Sequence, residues 1–266
     1  MTRPSALVVV SASVNEELIE GAALRMVMQR YGADVVVIGE ASRLQLVRAG
    51  RGRAEYVLET VGSPAHASSP HLGLNAVHRM CAVIAAIEAL PMPSHPFVGD
   101  GVMCLTDVIS TPYPAHSVVP SGCRATYERR LLPGETEGSV LGEIEEACFR
   151  AGADDTRIRL AETDVTSYTG VRWAESKWFA PWELPEDAEV VQQALRGLRA
   201  AGQDPGLAAY QFCTNAAYSA GHAAIPTIGY GPGAESDAHV VDESLAIDEL
   251  LAAGRGYRAI AEALLA

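Results

Sequence analysis

Arg53-Ala54-Glu55-Tyr56-Val57-Leu58-Glu59-Thr60-Val61 is the stretch on which the architecture turns. Ala54, Tyr56, Leu58 and Thr60 share one face; Glu55, Val57, Glu59 and Val61 share the other. That alternation predicts an antiparallel strand with one solvated face. Upstream the texture differs. Leu7-Val8-Val9-Val10, within 6–12, and Val35-Val36-Val37-Ile38-Gly39, within 34–39, are short β-branched runs. Between them, over 16–31, Ile19, Ala22, Ala23, Met26 and Val27 keep a helical rhythm that Gly32 closes. This predicts a strand–helix–strand unit with parallel strands and a right-handed crossover.

Downstream of Val61 the loop Gly62-Ser63-Pro64-Ala65-His66-Ala67-Ser68-Ser69-Pro70 leads into a helix over 74–90. Strands over 101–109 and 117–131, a turn at Pro133-Gly134-Glu135, a helix over 137–151 and a strand over 156–163 follow. The order is β-α-β-β-α-β, the ferredoxin-like split arrangement. Trp173, Trp178 and Trp182 all fall in 166–185, read as a return crossing whose tryptophans pack at a domain interface. A helix over 186–202, a strand over 225–230 and a helix over 244–265 resume the α/β pattern. The expected class is α/β, with 1–52 and 168–266 forming one domain and 53–167 inserted into it.

The chain has 266 residues, 48% of them hydrophobic, and a net charge of -13. Such an acidic surface argues against nucleic acid and anionic membranes as partners. No stretch approaches the roughly 20 apolar residues of a membrane span, and no secretory leader is expected at the N-terminus. The five cysteines, Cys81, Cys104, Cys123, Cys148 and Cys213, are odd in number and scattered, so they are expected as reduced core residues of a cytoplasmic protein.

Four chemistry-bearing side chains follow short apolar runs. Glu16 and Glu17 come after 7–10, Glu40 after 35–39, and His239 ends the loop that begins at Gly231, after Ile225-Pro226-Thr227-Ile228-Gly229. In open α/β sheets ligands gather outside the carboxyl ends of strands, so these groups are placed to converge. Three carboxylates and an imidazole suit zinc or a similar divalent ion. Each also has a plainer reading. Glu16 and Glu17 complement a helix dipole, Glu40 is a surface acid, and His239 caps a loop. His66 is an exposed loop residue, and Arg130 pairs with Glu128 or Glu135. Gly229-Tyr230-Gly231-Pro232-Gly233 lacks the Lys-Ser/Thr step of a phosphate loop.

Five motifs in order resemble the dinuclear-zinc aminoacylase and carboxypeptidase family, which includes acetylornithine deacetylase, succinyl-diaminopimelate desuccinylase and glutamate carboxypeptidase. They are Asn15-Glu16-Glu17 with Gly21, Gly39-Glu40, Gly62-Ser63-Pro64-Ala65-His66, Arg129-Arg130-Leu131-Leu132-Pro133-Gly134-Glu135, and Gly231-Pro232-Gly233 leading to Ala238-His239. The resemblance implies a partial zinc-peptidase-like α/β catalytic domain with an inserted ferredoxin-like dimerisation domain. It implies two divalent metal ions, zinc first, with cobalt and manganese as alternatives, and a homodimer that hydrolyses the amide bond of an N-acyl amino acid or small peptide. It makes Glu16 the general base and Glu17, Glu40 and His239 metal ligands. His66 reaches the partner's site to steady the oxyanion, Arg130 binds the substrate carboxylate, and Ser117 stands where many relatives place a substrate-holding Asn.

The family's remaining ligands, a His in a His-x-Asp step and a bridging Asp, have no counterpart here: Met1 to Asn15 contains neither residue type. A separate N-terminal polypeptide, a truncation, or a non-catalytic dimeric binding or scaffold role are the alternatives. A mononuclear enzyme built on Glu17, His239 and one further group is a weaker one.

Overall fold

The computed structural model describes residues 7–266. In chain order the elements are α1 (Ala22–Tyr31), β1 (Val36–Ile38), β2 (Leu46–Gly50), β3 (Gly52–Val61), α2 (Ala76–Glu88), β4 (Ser94–His95), β5 (Gly99–Asp100), β6 (Val102–Thr111), β7 (Gly122–Leu131) and α3 (Glu137–Arg150). Then come β8 (Arg157–Leu160), β9 (Glu162–Thr166), β10 (Arg172–Ser176), β11 (Trp178–Phe179), β12 (Trp182–Glu183), α4 (Glu189–Ala200), β13 (Leu207–Tyr210), β14 (Thr227–Gly229) and α5 (Ile247–Leu265).

The stretch from 53 behaves as its alternation predicts. β3 pairs antiparallel with β7 from Gly52↔Leu131 to Val61↔Gly122, and with β8; β7 pairs with β6 on its other side. The spatial order β8-β3-β7-β6, with α2 and α3 between the strands in sequence, is the split β-α-β-β-α-β fold. Ala54, Tyr56 and Leu58 meet Met80, Val83 and Ile144 in one core. The second face of β3 is less solvated than expected: Arg53 and Val57 are buried as well. At the root of β3, β11 pairs along its edge, Trp178 with Ala54 and Phe179 with Arg53, and the Arg53 guanidinium lies 5.0 Å from the Phe179 ring centre.

The other sheet has the order β1-β14-β2-β12, with β13 also on β2. β1 and β14 are parallel, as are β13 and β2, while β12 runs antiparallel to β2. α4 and α5 cover one face through Val191, Leu198 and Ile260; Leu24 of α1 and Ala216 pack on the other. The tryptophan crossing ties the two sheets together, because β11 joins β3 and β12 joins β2. Trp173 is buried with Ile19, Phe179 and Cys213. Gly52 sits at this crossing, where a Cβ would lie 2.2 Å from the Phe179 carbonyl oxygen.

Three expectations are corrected. Residues 7–10 form no strand and are exposed, Val10 at 92%, since among the described residues nothing pairs with them; residue 6 of the expected strand lies outside the described residues. The parallel partner of β1 is therefore β14. The expected 16–31 helix begins only at Ala22, because Gly21 has φ 83 and Asn15 φ 57, both left-handed. Gly32 does close it, with φ 73 and its N–H on the Met28 carbonyl at 2.8 Å. Cys81 and Cys104 are exposed rather than core residues; all five thiols are free.

Candidate active site

The turn of residues 15–21 is held locally. Leu18 N and Ile19 N donate to the Asn15 carbonyl at 3.2 and 3.0 Å, and Gly21 N donates to Asn215 Oδ1 at 2.8 Å. Gly21 has no alternative here, since a Cβ would stand 2.4 Å from Tyr218 Cβ. This arrangement turns Glu16 inward and Glu17 outward.

Glu17 Oε1 lies 3.1 Å from His239 Nε2, and both side chains are more than two-thirds exposed. His239 sits at φ 59, its N–H donating to Glu243 Oε2 at 3.0 Å. Glu16 is half-buried, and its Oε1 has no hydrogen-bond partner among the described residues. Burial, then Glu40, Glu20 and Glu17, push its carboxyl up to about 8 against a backbone hydrogen bond from Asn215. Glu40 is also raised, by burial and then Glu17, with His239 opposing. Glu40 is fixed by close packing: a Cβ on Gly231 would lie 2.3 Å from its carbonyl oxygen, which accepts from Tyr210 Oη at 3.3 Å. The structure therefore gathers Glu16, Glu17, Glu40 and His239 into one electrostatic cluster, from positions up to 223 residues apart.

Among the described residues no three His, Cys, Asp or Glu side chains stand in ligand geometry. The donor set nonetheless fits a cation. Two ligands on a single tetrahedral ion at about 2.1 Å each stand about 3.4 Å apart, close to the Glu17–His239 separation. The orphaned oxygen of Glu16 marks a polar atom without a partner at the same place.

Arg130 and Arg129 point to opposite faces of β7. Arg129 is fully buried in the core side, held by Glu135 and by Glu143 at 2.8 Å. Arg130 is one-third exposed and pairs with Glu128 at 2.8 Å, as its plainer reading expects. Glu128 also links it to the surroundings of the carboxylates, since Glu128 Oε2 lies 3.7 Å from Arg53 Nη1. His66 and Ser117 lie elsewhere, at the far tip of β3. His66 bridges to Val118, Ala67 N donates to the Ser117 carbonyl at 3.0 Å, and Ser117 has φ 52. A ten-residue strand separates them from the β3 root, about 30 Å at 3.3 Å per residue. They do not join the carboxylate cluster within one chain.

Sequence reasoning missed Glu20, Arg53 and Asn215, which pack around the cluster. No signal in the sequence distinguishes Arg53, which is one of three charged residues of β3 with Glu55 and Glu59, and only the structure shows it buried.

The family model for the peptidase dimerisation domain, M20 type, matches residues 48–156. The uncharacterized protein YgeY of Escherichia coli K12 is 29% identical over 258 residues, covering 94% of this chain and 63% of that protein. Aminopeptidase PepT from Bacillus cereus superposes with a TM-score of 0.70 at 19% identity, covering 96% of this chain and 63% of that one. The Bacillus subtilis YXEP protein, described as a dinuclear metal binding peptidase from the M20 family, superposes at 0.64 with 12% identity, covering 94% and 63%. At these identities the two structures show a common fold. The chain spans less than two thirds of the length of these relatives. Residues 48–156 match the M20-type peptidase dimerisation domain, and the chain as a whole shares its fold with a peptidase of the M20 family.

Proposed function

We propose that this chain is the part of an M20-type amide hydrolase that carries the general base and part of the metal shell, and that it acts on an N-acyl amino acid or small peptide. The observation that carries the reading is the contact of His239 with Glu17 beside Glu16 and Glu40. Glu17, Glu40 and His239 would hold two divalent ions, zinc first, with the remaining ligands contributed by a further N-terminal polypeptide segment. When bound, such ions polarise an amide carbonyl and make water more acidic. Glu16 Oε1, half-buried and not engaged by any described group, takes the proton from water and returns it to the leaving nitrogen. Arg130 pairs with the substrate carboxylate as a planar fork.

Residues 1–52 and 168–266 form the catalytic unit in this reading, and 53–167 the lid through which two chains associate. Among the described residues β6 is a free sheet edge, with Val102 and Val108 exposed at 43% and 44%. Pairing two such edges about a two-fold axis removes an aggregation-prone surface. It also gives the tip residues His66 and Ser117 a site to serve, that of the partner, since their own lies about 30 Å away along β3. The protein is cytoplasmic in this reading.

The test is Glu16→Gln in the metal-loaded, complete enzyme, assayed on a panel of N-acyl amino acids and dipeptides. Turnover should fall by about 10²–10⁴-fold with metal content unchanged. Full activity in the variant sinks the assignment. The lack of three convergent ligands among the described residues favours a second reading, a non-catalytic dimeric binder. Elemental analysis separates the two: no bound metal in the complete protein supports the binder.

A further inference from the structure

At the joint between the two sheets lies a buried ion pair. Arg53 Nε and Nη2 donate to Glu20 Oε1 and Oε2, both at 2.7 Å. The two side chains are only 9% and 6% exposed. Arg53 Nη1 donates to Glu55 Oε1 at 2.6 Å, with Glu128 Oε2 at 3.7 Å, and the guanidinium lies 5.0 Å from the Phe179 ring centre. Glu128 in turn binds Arg130 at 2.8 Å, so the network runs from the turn of Glu16 and Glu17 to Arg130.

The turn of residues 15–21 has no sheet ladder to place it. Among the described residues its backbone bonds tie it to itself, to Arg25 of α1 and to Asn215. Among the described residues, Glu20 is the side chain of this turn that hydrogen-bonds into the β3 sheet. A buried pair of this kind is weak evidence for stability, because a well-packed apolar pair often serves as well. What it supplies is direction: a bidentate guanidinium fork accepts a carboxylate in one plane and one orientation.

We propose that Glu20 and Arg53 are positioning residues. The pair sets the Glu16–Glu17 turn against the root of the lid and, through Glu128, holds Arg130 in the same frame. A substrate whose amide meets Glu16 and whose carboxylate meets Arg130 then finds the two at a fixed separation. The substrate part of this proposal rests on the hydrolase reading; the mechanical part does not.

The experiment is native-state amide hydrogen exchange on the full chain, metal-free, comparing wild type with Glu20→Gln, Arg53→Met, Arg53→Lys and the swapped pair Glu20→Arg/Arg53→Glu. Glu20→Gln and Arg53→Met should speed exchange at the amides of residues 18–22 by tenfold or more beyond any acceleration of the Tyr56–Tyr127 ladder of β3 and β7, which reads the loss of global stability. Arg53→Lys should fall between, and the swap should recover part of the protection. Unchanged exchange in the turn overturns the proposal. So does equal acceleration in the turn and the ladder, because the pair would then support only the fold as a whole. If Arg53→Met does not fold, the isosteric Glu20→Gln decides. This readout needs neither metal nor turnover, so failure of the hydrolase reading, seen as an unaffected Glu16→Gln enzyme, is distinguishable from failure here.

Discussion

His239 Nε2 and Glu17 Oε1 meet at 3.1 Å although 222 residues separate them, and both lie at the surface. A solvent-exposed pair contributes at most about 1 kcal/mol to folding. His239→Ala should therefore shift the urea unfolding free energy of the metal-free chain by no more than about 1 kcal/mol. In the complete enzyme the same variant should lose bound metal, as read by elemental analysis. A large stability loss in the metal-free chain would make the contact structural and remove His239 from the metal shell.

Gly21→Ala addresses the turn. The position has φ 83, and the added Cβ would stand 2.4 Å from Tyr218 Cβ. Left-handed strain of about 1–2 kcal/mol adds to overpacking of about 1–3 kcal/mol. Chemical denaturation should show a loss of at least about 2 kcal/mol. A neutral result would mean the turn moves freely and does not hold Glu16 in place.

Ser117 is the converse case. It occupies φ 52 in an exposed loop, a region Asn visits far more readily than Ser. Ser117→Asn should raise the unfolding free energy by about 0.5 kcal/mol. Destabilisation by the same substitution would show that the Ser hydroxyl has a local role.

Thiol labelling reads both burial and association. Cys81 and Cys104 are exposed, whereas Cys123, Cys148 and Cys213 are buried, and burial raises the pKa of each of these three. A raised thiol pKa means less thiolate at any given pH, so these three should stay unlabelled by iodoacetamide even at mildly alkaline pH. Mass spectrometry of the native monomer should find label on Cys81 and Cys104 alone. Cys104 lies on β6, so its labelling should slow with rising protein concentration if β6 edges pair. Concentration-independent labelling would place the dimer contact elsewhere.

Val108→Lys tests the same edge from the other side. A lysine on an exposed strand edge opposes edge-to-edge pairing. Light scattering should show the dimer shifting to monomer in this variant, with the urea midpoint of the monomer unchanged. A dimer of undiminished affinity would exclude the β6 edge.

Local periodicity in the sequence determined the β-α-β-β-α-β unit: the alternation of residues 53–61, the helical runs around Met80 and Ile144, and the turn at Gly134 recur as β3, α2, α3 and the loop between. These elements bury their own apolar faces against one another, so pattern and packing agree. The first apolar run had the composition of a strand and is not one, because a strand is a relation between segments and 7–10 has no partner among the described residues. The motif order likewise pointed to Glu16, Glu17, Glu40 and His239, but only tertiary structure decided that Glu16 faces inward while Glu17 meets the imidazole. The pairing of Glu20 with Arg53 was invisible for the same reason. No local pattern records which charge a buried guanidinium will face; that is set by where two sheets cross, and by the large cost of leaving either charge there alone.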